Sequence, residues 1–139
     1  VMLAHIESIK AALVPLGWQV HYVNVPEPPT FPYVLLWSGT GDPGSEPPLC
    51  GPMDDLEAVV GVTVVAGSPE GVLMVQSAVR AVLSPGDART RLTVAGRAAS
   101  LKRTGGQTVQ VDRDVKIPGT NTSPAFSVDL YDLHSTPAT

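Results

Sequence analysis

The hydrophobic pattern changes period between Leu56 and Pro85. Leu56 to Ala66 is a nearly continuous apolar run rich in valine, which reads as a buried strand. Ser68-Pro69-Glu70 follows, a helix cap with proline at the first helical position. From Pro69 to Leu83 the apolar residues recur at helical spacing, with Val72, Val75, Val79, Val82 and Leu83 on one stripe. Ala78, Met74 and Ala81 widen that stripe to roughly 200°, beyond the ~100° a surface helix needs. Gln76, Ser77, Arg80, Glu70 and Ser84 are left for the polar side, with Leu73 among them. One sheet cannot cover so broad a stripe, so a second helix or a neighbouring subunit is expected beside it. Leu73 and Met74 are therefore candidate contact residues.

The rest of the chain supplies elements for that core. Met2, Ile6, Ile9, Leu13 and Leu16 lie on a helical stripe that Pro15 ends, with His5 at its edge as a packing residue. Trp18 to Val25 alternates as a strand, and the proline-rich 26–32 segment is an extended link near a sheet edge. Tyr33 to Trp37 is apolar throughout, as expected of a strand covered on both faces. Further strands are expected at Thr90–Ala95 and Arg97–Lys102, with Arg91, Arg97 and Arg103 exposed. A hairpin turn is expected at Thr104-Gly105-Gly106-Gln107, leading into Val109 and Val111. Phe126 to Leu133 forms a half-buried strand, and the small polar residues from Ser135 on are expected to fray. Together these predict one α+β domain over residues 1–139, a mixed, mostly antiparallel sheet with two helices on one face.

Composition narrows the functional classes. With 139 residues, the chain is long enough to bury a core without staples. Its single cysteine, Cys50, excludes an internal disulfide. No signal-peptide pattern and no apolar run of membrane-spanning length is seen, so the expectation is a soluble protein made in a cytoplasm. The net charge of −4 is unevenly spread. Residues 1–79 carry Lys10 against eight acids, and residues 80–139 carry eight bases against five acids. Either the bases are simply solvated on a hairpin, or the acidic part of one copy meets the basic part of the next.

Candidate chemistry is sparse. Gly39 to Gly44 has the letters G-x-G-x-x-G, but Pro43, Pro47 and Pro48 forbid the helix that a dinucleotide site requires. The fourteen-residue loop Thr40–Met53 holds four prolines and three glycines. It is either a surface loop or a stiff segment that docks on a neighbour, with Asp42, Glu46 and Cys50 as candidate contacts. The three histidines fall on separate elements, and neither Asp54-Asp55 nor Asp112/Asp114 forms a convincing cation site. No enzyme, metal or cofactor is expected. The basic region lacks interleaved aromatics, so sequence-specific nucleic-acid binding is not expected either.

The order of elements resembles the tail terminator proteins of long-tailed bacteriophages. The resemblance rests on Leu3-Ala4-His5-Ile6, Phe31-Pro32-Tyr33-Val34-Leu35-Leu36, Val60 to Ala66, and the ending from Asp112 to Leu133. It implies a small α+β subunit of a ring, usually a hexamer, at the head-proximal end of the tail tube. Such a ring ends tube polymerisation and docks the neck of the head. Implied partners are further copies of the chain, the tube protein and a head/neck connector protein, with DNA passing non-specifically and no membrane involved. The implied place is the virion's tail–neck junction, after assembly in the bacterial host cytoplasm. Arg91, Arg97 and Arg103 then line either the channel or the subunit contacts. Another small connector or minor tail protein, or a ligand-binding α+β domain, is the alternative.

Overall fold

The computed structural model describes residues 2–26, 29–39, 55–117 and 119–137, and the backbone of 42–43. Helix α1 spans Met2–Leu13 and buries His5, Ile6, Ile9 and Leu13. Pro15 then tightens the chain into a single turn of 3-10 helix, Val14–Leu16. Gly17 closes it in the left-handed region (φ 88°) and donates its amide to the Val14 carbonyl at 3.0 Å.

Strands β1 (Gln19–Tyr22) and β2 (Tyr33–Ser38) run parallel. The two-residue β3 (Asp42–Pro43) pairs with the start of β4 (Leu56–Ala66), which also pairs antiparallel with β2. Helix α2 (Pro69–Leu83) begins as the cap predicts, the Ser68 hydroxyl accepting the Gly71 amide at 3.1 Å. Pro69 fills the position whose amide needs no partner, and Glu70 sits at the positive end of the helix dipole. After a short turn at Pro85–Asp87 come β5 (Thr90–Val94), β6 (Arg97–Gly106), β7 (Gln110–Val111) and β8 (Ala125–Pro137).

The sheet order is β1-β2-β4-β8-β6-β5, with β3 attached to β4 and β7 to β8. Every pairing except β1–β2 is antiparallel. The fold is thus α+β, as expected. Helix α1 touches α2 and also both edge strands, β1 and β5. A helix of 12 residues is about 18 Å long, whereas six strands laid flat span about 24 Å. The sheet must therefore curl around the helices. Val34, Leu36, Val60, Val62, Val64, Val72, Val75, Val79 and Leu133 form the interior of the curl.

Four expectations about the elements needed correction. Strand β1 stops at Tyr22 rather than Val25, because Val23 turns to a positive φ of 64° and donates its amide to Leu36. Thr104-Gly105-Gly106 is not a turn. It prolongs β6, which pairs with β8 across a bulge between Arg103 and Gly105. Residues 135–137 do not fray but complete β8, with the Ser135 side chain fully buried. Finally, Gln76, Arg80 and Ser84 do not form a solvated side of α2: Gln76 and Ser84 are buried and Arg80 reaches to β8.

Candidate functional site

Strand β8 determines both surfaces of the molecule. It alternates, and hydropathy alone favours burying Phe126, Val128 and Leu130. The fold buries the other set: Ala125, Ser127, Asp129, Tyr131, Leu133 and Ser135. A polar row thus enters the interior, and an apolar row is turned outward.

The inward polar row is satisfied largely by α2 and β6. Asp129 is 2% exposed. Its carboxylate accepts two hydrogen bonds from Arg80, at 2.7 Å from Nε and 2.9 Å from Nη2. This fork raises the Arg80 pKa above its ordinary value, the Asp129 hydrogen bond outweighing the opposing effect of burial. Arg103 Nε stands 3.2 Å from the other side of the same carboxylate, and its Nη1 faces Asp87. That Nε contact is ionic rather than an aligned hydrogen bond. Gln76 donates to Ser127, which donates to the Gln107 carbonyl. Gly106 makes room for the cluster, since a Cβ there would stand 2.4 Å from an Asp129 oxygen. At the far end of β8, Arg97 Nε donates to Ser135 Oγ at 2.6 Å, and His5 Nε2 bonds the same oxygen at 2.8 Å.

Tyr131 lies between these groups, and its buried hydroxyl has no hydrogen-bond partner among the described residues. Burial, and secondarily the charge on Asp129, lifts its pKa well above the usual phenol value of 10.0. Above pH 10 the unfolded chain loses this proton while the folded chain keeps it. The unfolded state then binds fewer protons, and stability falls as pH rises. Urea melts at pH 8 and pH 11 are therefore expected to show an alkaline loss that Tyr131→Phe reduces. An equal loss in both proteins contradicts this assignment.

The outward face reads as rows across the strands. Tyr33, Val65 and Phe126 make one row, and Leu35, Thr63 and Val128 the next. Trp37, Gly61 and Leu130 make the third. Beyond them the rows become charged: Val59, Asp132 and Lys102, then Glu57, His134, Ser100 and Arg91. Trp37 is held in a defined pose. Its Nε1 donates to Thr63 Oγ1 at 3.1 Å, and its indole lies across Gly61, where a Cβ would stand 2.0 Å from the ring. It is nonetheless 38% exposed, and Val59 is 53% exposed. Phe31 flanks Tyr33 at 5.7 Å, beside an apolar concavity of about 380 Å³ that Leu35, Val65, Val115 and Phe126 also line. Phe31, Tyr33, Trp37 and Phe126, four of the seven aromatic residues, thus gather on this outer side.

The sequence-predicted residues are distributed unevenly. Leu73 and Met74 stand together on the outer ridge of α2, 56% and 61% exposed. Arg91 faces outward from β5. Arg97 and Arg103 were expected to be exposed beside it, but they alternate with Arg91 and point to the helix side, bound to Ser135, Asp87 and Asp129. The three arginines do not form one surface. Asp42 is placed in β3 by its backbone, and Glu46 and Cys50 lie outside the described residues. Trp37, Val59, Lys102 and Glu70 were not singled out from sequence. The signal for Trp37 was the unbroken apolar run of β2, which implied cover on a second face. Among the described residues, no three His, Cys, Asp or Glu side chains gather as a metal-binding group. No described helix is long and apolar enough to cross a membrane.

An α+β domain with a curled sheet, two helices inside the curl and an aromatic outer face is the class of protein these observations define. Comparison with solved structures finds this fold elsewhere. A chain in the virion of a native gene transfer agent particle matches with a TM-score of 0.54 at 15% identity, over 96% of this chain and 93% of that one. A second solved chain matches with a TM-score of 0.58 at 14% identity, over 99% of this chain and 95% of that one. No protein-family model and no curated protein sequence matches. At these identities the likeness establishes a shared fold.

Proposed function

We propose that this chain is a structural virion protein of a phage-like particle, a tail terminator that closes into a ring at the head-proximal end of the tail tube. The observation that carries this reading is the fold shared, over nearly the whole of both chains, with a component of the gene transfer agent virion. The outward aromatic face and the exposed Leu73–Met74 ridge support it, because a subunit of a closed ring needs two different contact patches. In this reading the protein is not an enzyme and uses no cofactor. Its partners are further copies of itself in a hexameric ring, the tube protein and the neck connector, and DNA passes through without sequence recognition. The same fold likeness also serves a neighbouring head–tail connector, and the end of the tail that is bound separates the two.

The experiment is assembly of the tube protein with and without this chain, read by electron microscopy. The expected result is tubes of limited length carrying a ring at one end. Unrestricted tubes with no bound ring overturn the terminator role, and binding to the neck without binding to the tube favours the connector.

A further inference from the structure

The outer sheet face and the α2 ridge differ in shape and charge. The ridge is convex. Glu70, Leu73, Met74 and Ser77 share one side of the helix at spacings of three, four and seven, and all are exposed. It therefore offers two large apolar side chains with a carboxylate one turn away. The sheet face offers the converse: the fixed indole of Trp37, Val59 and Leu130, bordered by Lys102 and Arg91. Neither Glu70 nor Lys102 nor Arg91 makes an ion pair among the described residues, whereas Asp132 on the same face is already paired with Arg89. The basic rim has a charge to give and the acidic ridge has one to receive.

We propose that the outer sheet face around Trp37 seats helix α2 of a second copy of this chain, with Leu73 and Met74 against the indole, Val59 and Leu130, and Glu70 toward Lys102 and Arg91. The dimensions agree. The indole over Gly61 on β4 is two strands across and two residues along from Lys102 on β6, about 12 Å. One helical turn, about 5.4 Å, separates Glu70 from Met74, and a lysine side chain spans the remainder. The alternatives fit less well. Helix against helix gives Glu70 no cation, since Ser77 lies opposite it in an antiparallel pair centred on Leu73 and Met74, and leaves the sheet face bare. Sheet against sheet leaves Leu73 and Met74 in water. Helix on sheet covers both patches with one contact, and because the patches differ, the contact repeats from copy to copy and can close a ring. A tryptophan already held in its bound pose also suits the centre of an interface, since little rotamer freedom remains to be lost. The contact deepens the ring reading and rests on it.

The test is a charge swap in the full chain, with assembly followed by sedimentation velocity at low salt. Lys102→Glu and Glu70→Lys are each expected to weaken assembly several-fold through the repulsion they introduce. The double variant is expected to regain most of the wild-type affinity. Gly61→Ala, which displaces the indole without removing it, is expected to weaken assembly too, with circular dichroism reporting whether the fold is kept. If Gly61→Ala unfolds, the charge swap decides alone. Rings that assemble with unchanged affinity in both single charge variants overturn this contact and leave the ring reading standing. A double variant no better than the singles also overturns it. So does a loss confined to tube-protein binding, which assigns the sheet face to that partner. A wild-type chain that stays monomeric at high concentration and does not cap tubes overturns the contact and the ring reading together.

Discussion

Replacing Asp129 with alanine is expected to cost about 3 kcal/mol of folding stability, on the order of 10 °C in Tm for a domain of this size. Asp129 is the only acid of the described residues that two arginines share, and it is almost fully buried. Its removal leaves Arg80 and Arg103 facing one another with only the more distant and exposed Asp87 for compensation. Breaking a buried pair typically costs 3–5 kcal/mol, because the surviving charge has lost its partner without recovering its water. The lower end applies here, since the Arg80 side chain is 35% exposed and can rehydrate in part. Asp129→Asn keeps the volume and one acceptor oxygen and is expected to lose less. Thermal melts of the two variants check both the size and the order, and an unchanged Tm for Asp129→Ala contradicts the role assigned to the cluster.

A chain ending at His134 is expected to lose about 3 kcal/mol. The truncation removes the last ladder positions of β8, where Ser135 pairs with both Leu56 and Ala99 and Pro137 faces Arg97. It also removes the hydroxyl that joins His5 of α1 to Arg97 of β6. Taking away one partner of a buried hydrogen bond typically costs 1–3 kcal/mol, and here one oxygen serves two partners. Ser135→Ala in the full chain isolates that hydroxyl and is expected to give about half the loss. Urea unfolding of the two proteins makes the comparison. A truncated chain as stable as the parent would mean that the end of β8 contributes nothing, which its burial argues against.

Much of the fold was legible because local patterns were unambiguous. Ser68-Pro69-Glu70 predicts both a cap and a start, and α2 begins there. The valine-rich run predicts β4 from Leu56 to Ala66, and those are its ends. Pro15 predicts the end of α1, and the helix stops at Leu13. The misreadings share a cause. Thr104-Gly105-Gly106 has turn composition, yet β8 runs alongside and captures it as strand, with a bulge absorbing the irregularity. Residues 135–137 have the composition of a frayed end, yet β6 pairs with all three and β4 with Ser135. In both cases a partner remote in sequence overrode the local preference.

The candidate surface was legible only in outline. Met74 stood out because it widened a helical stripe and Leu73 because it lay on the polar side, and helical geometry is local. Arg91, Arg97 and Arg103 could be counted but not sorted, since the face each takes depends on strand register. The Trp37 platform needs Trp37, Gly61 and Thr63 to meet across two strands, and no local pattern brings them together.

The sequence by itself therefore determined the two helices, the central strand and the presence of more apolar surface on α2 than the sheet alone can cover, which α1 helps to meet. Periodicity, caps and prolines act within a turn or two of chain, and that is enough for those features. Only the tertiary structure decided which face of β8 is buried. Hydropathy favours Phe126, Val128 and Leu130, but Arg80, Arg103 and Gln76 converge from α2 and β6 to satisfy Asp129 and Ser127 inside. The polar set is drawn inward by these partners, and the apolar set is left on the surface, where the proposed contact lies.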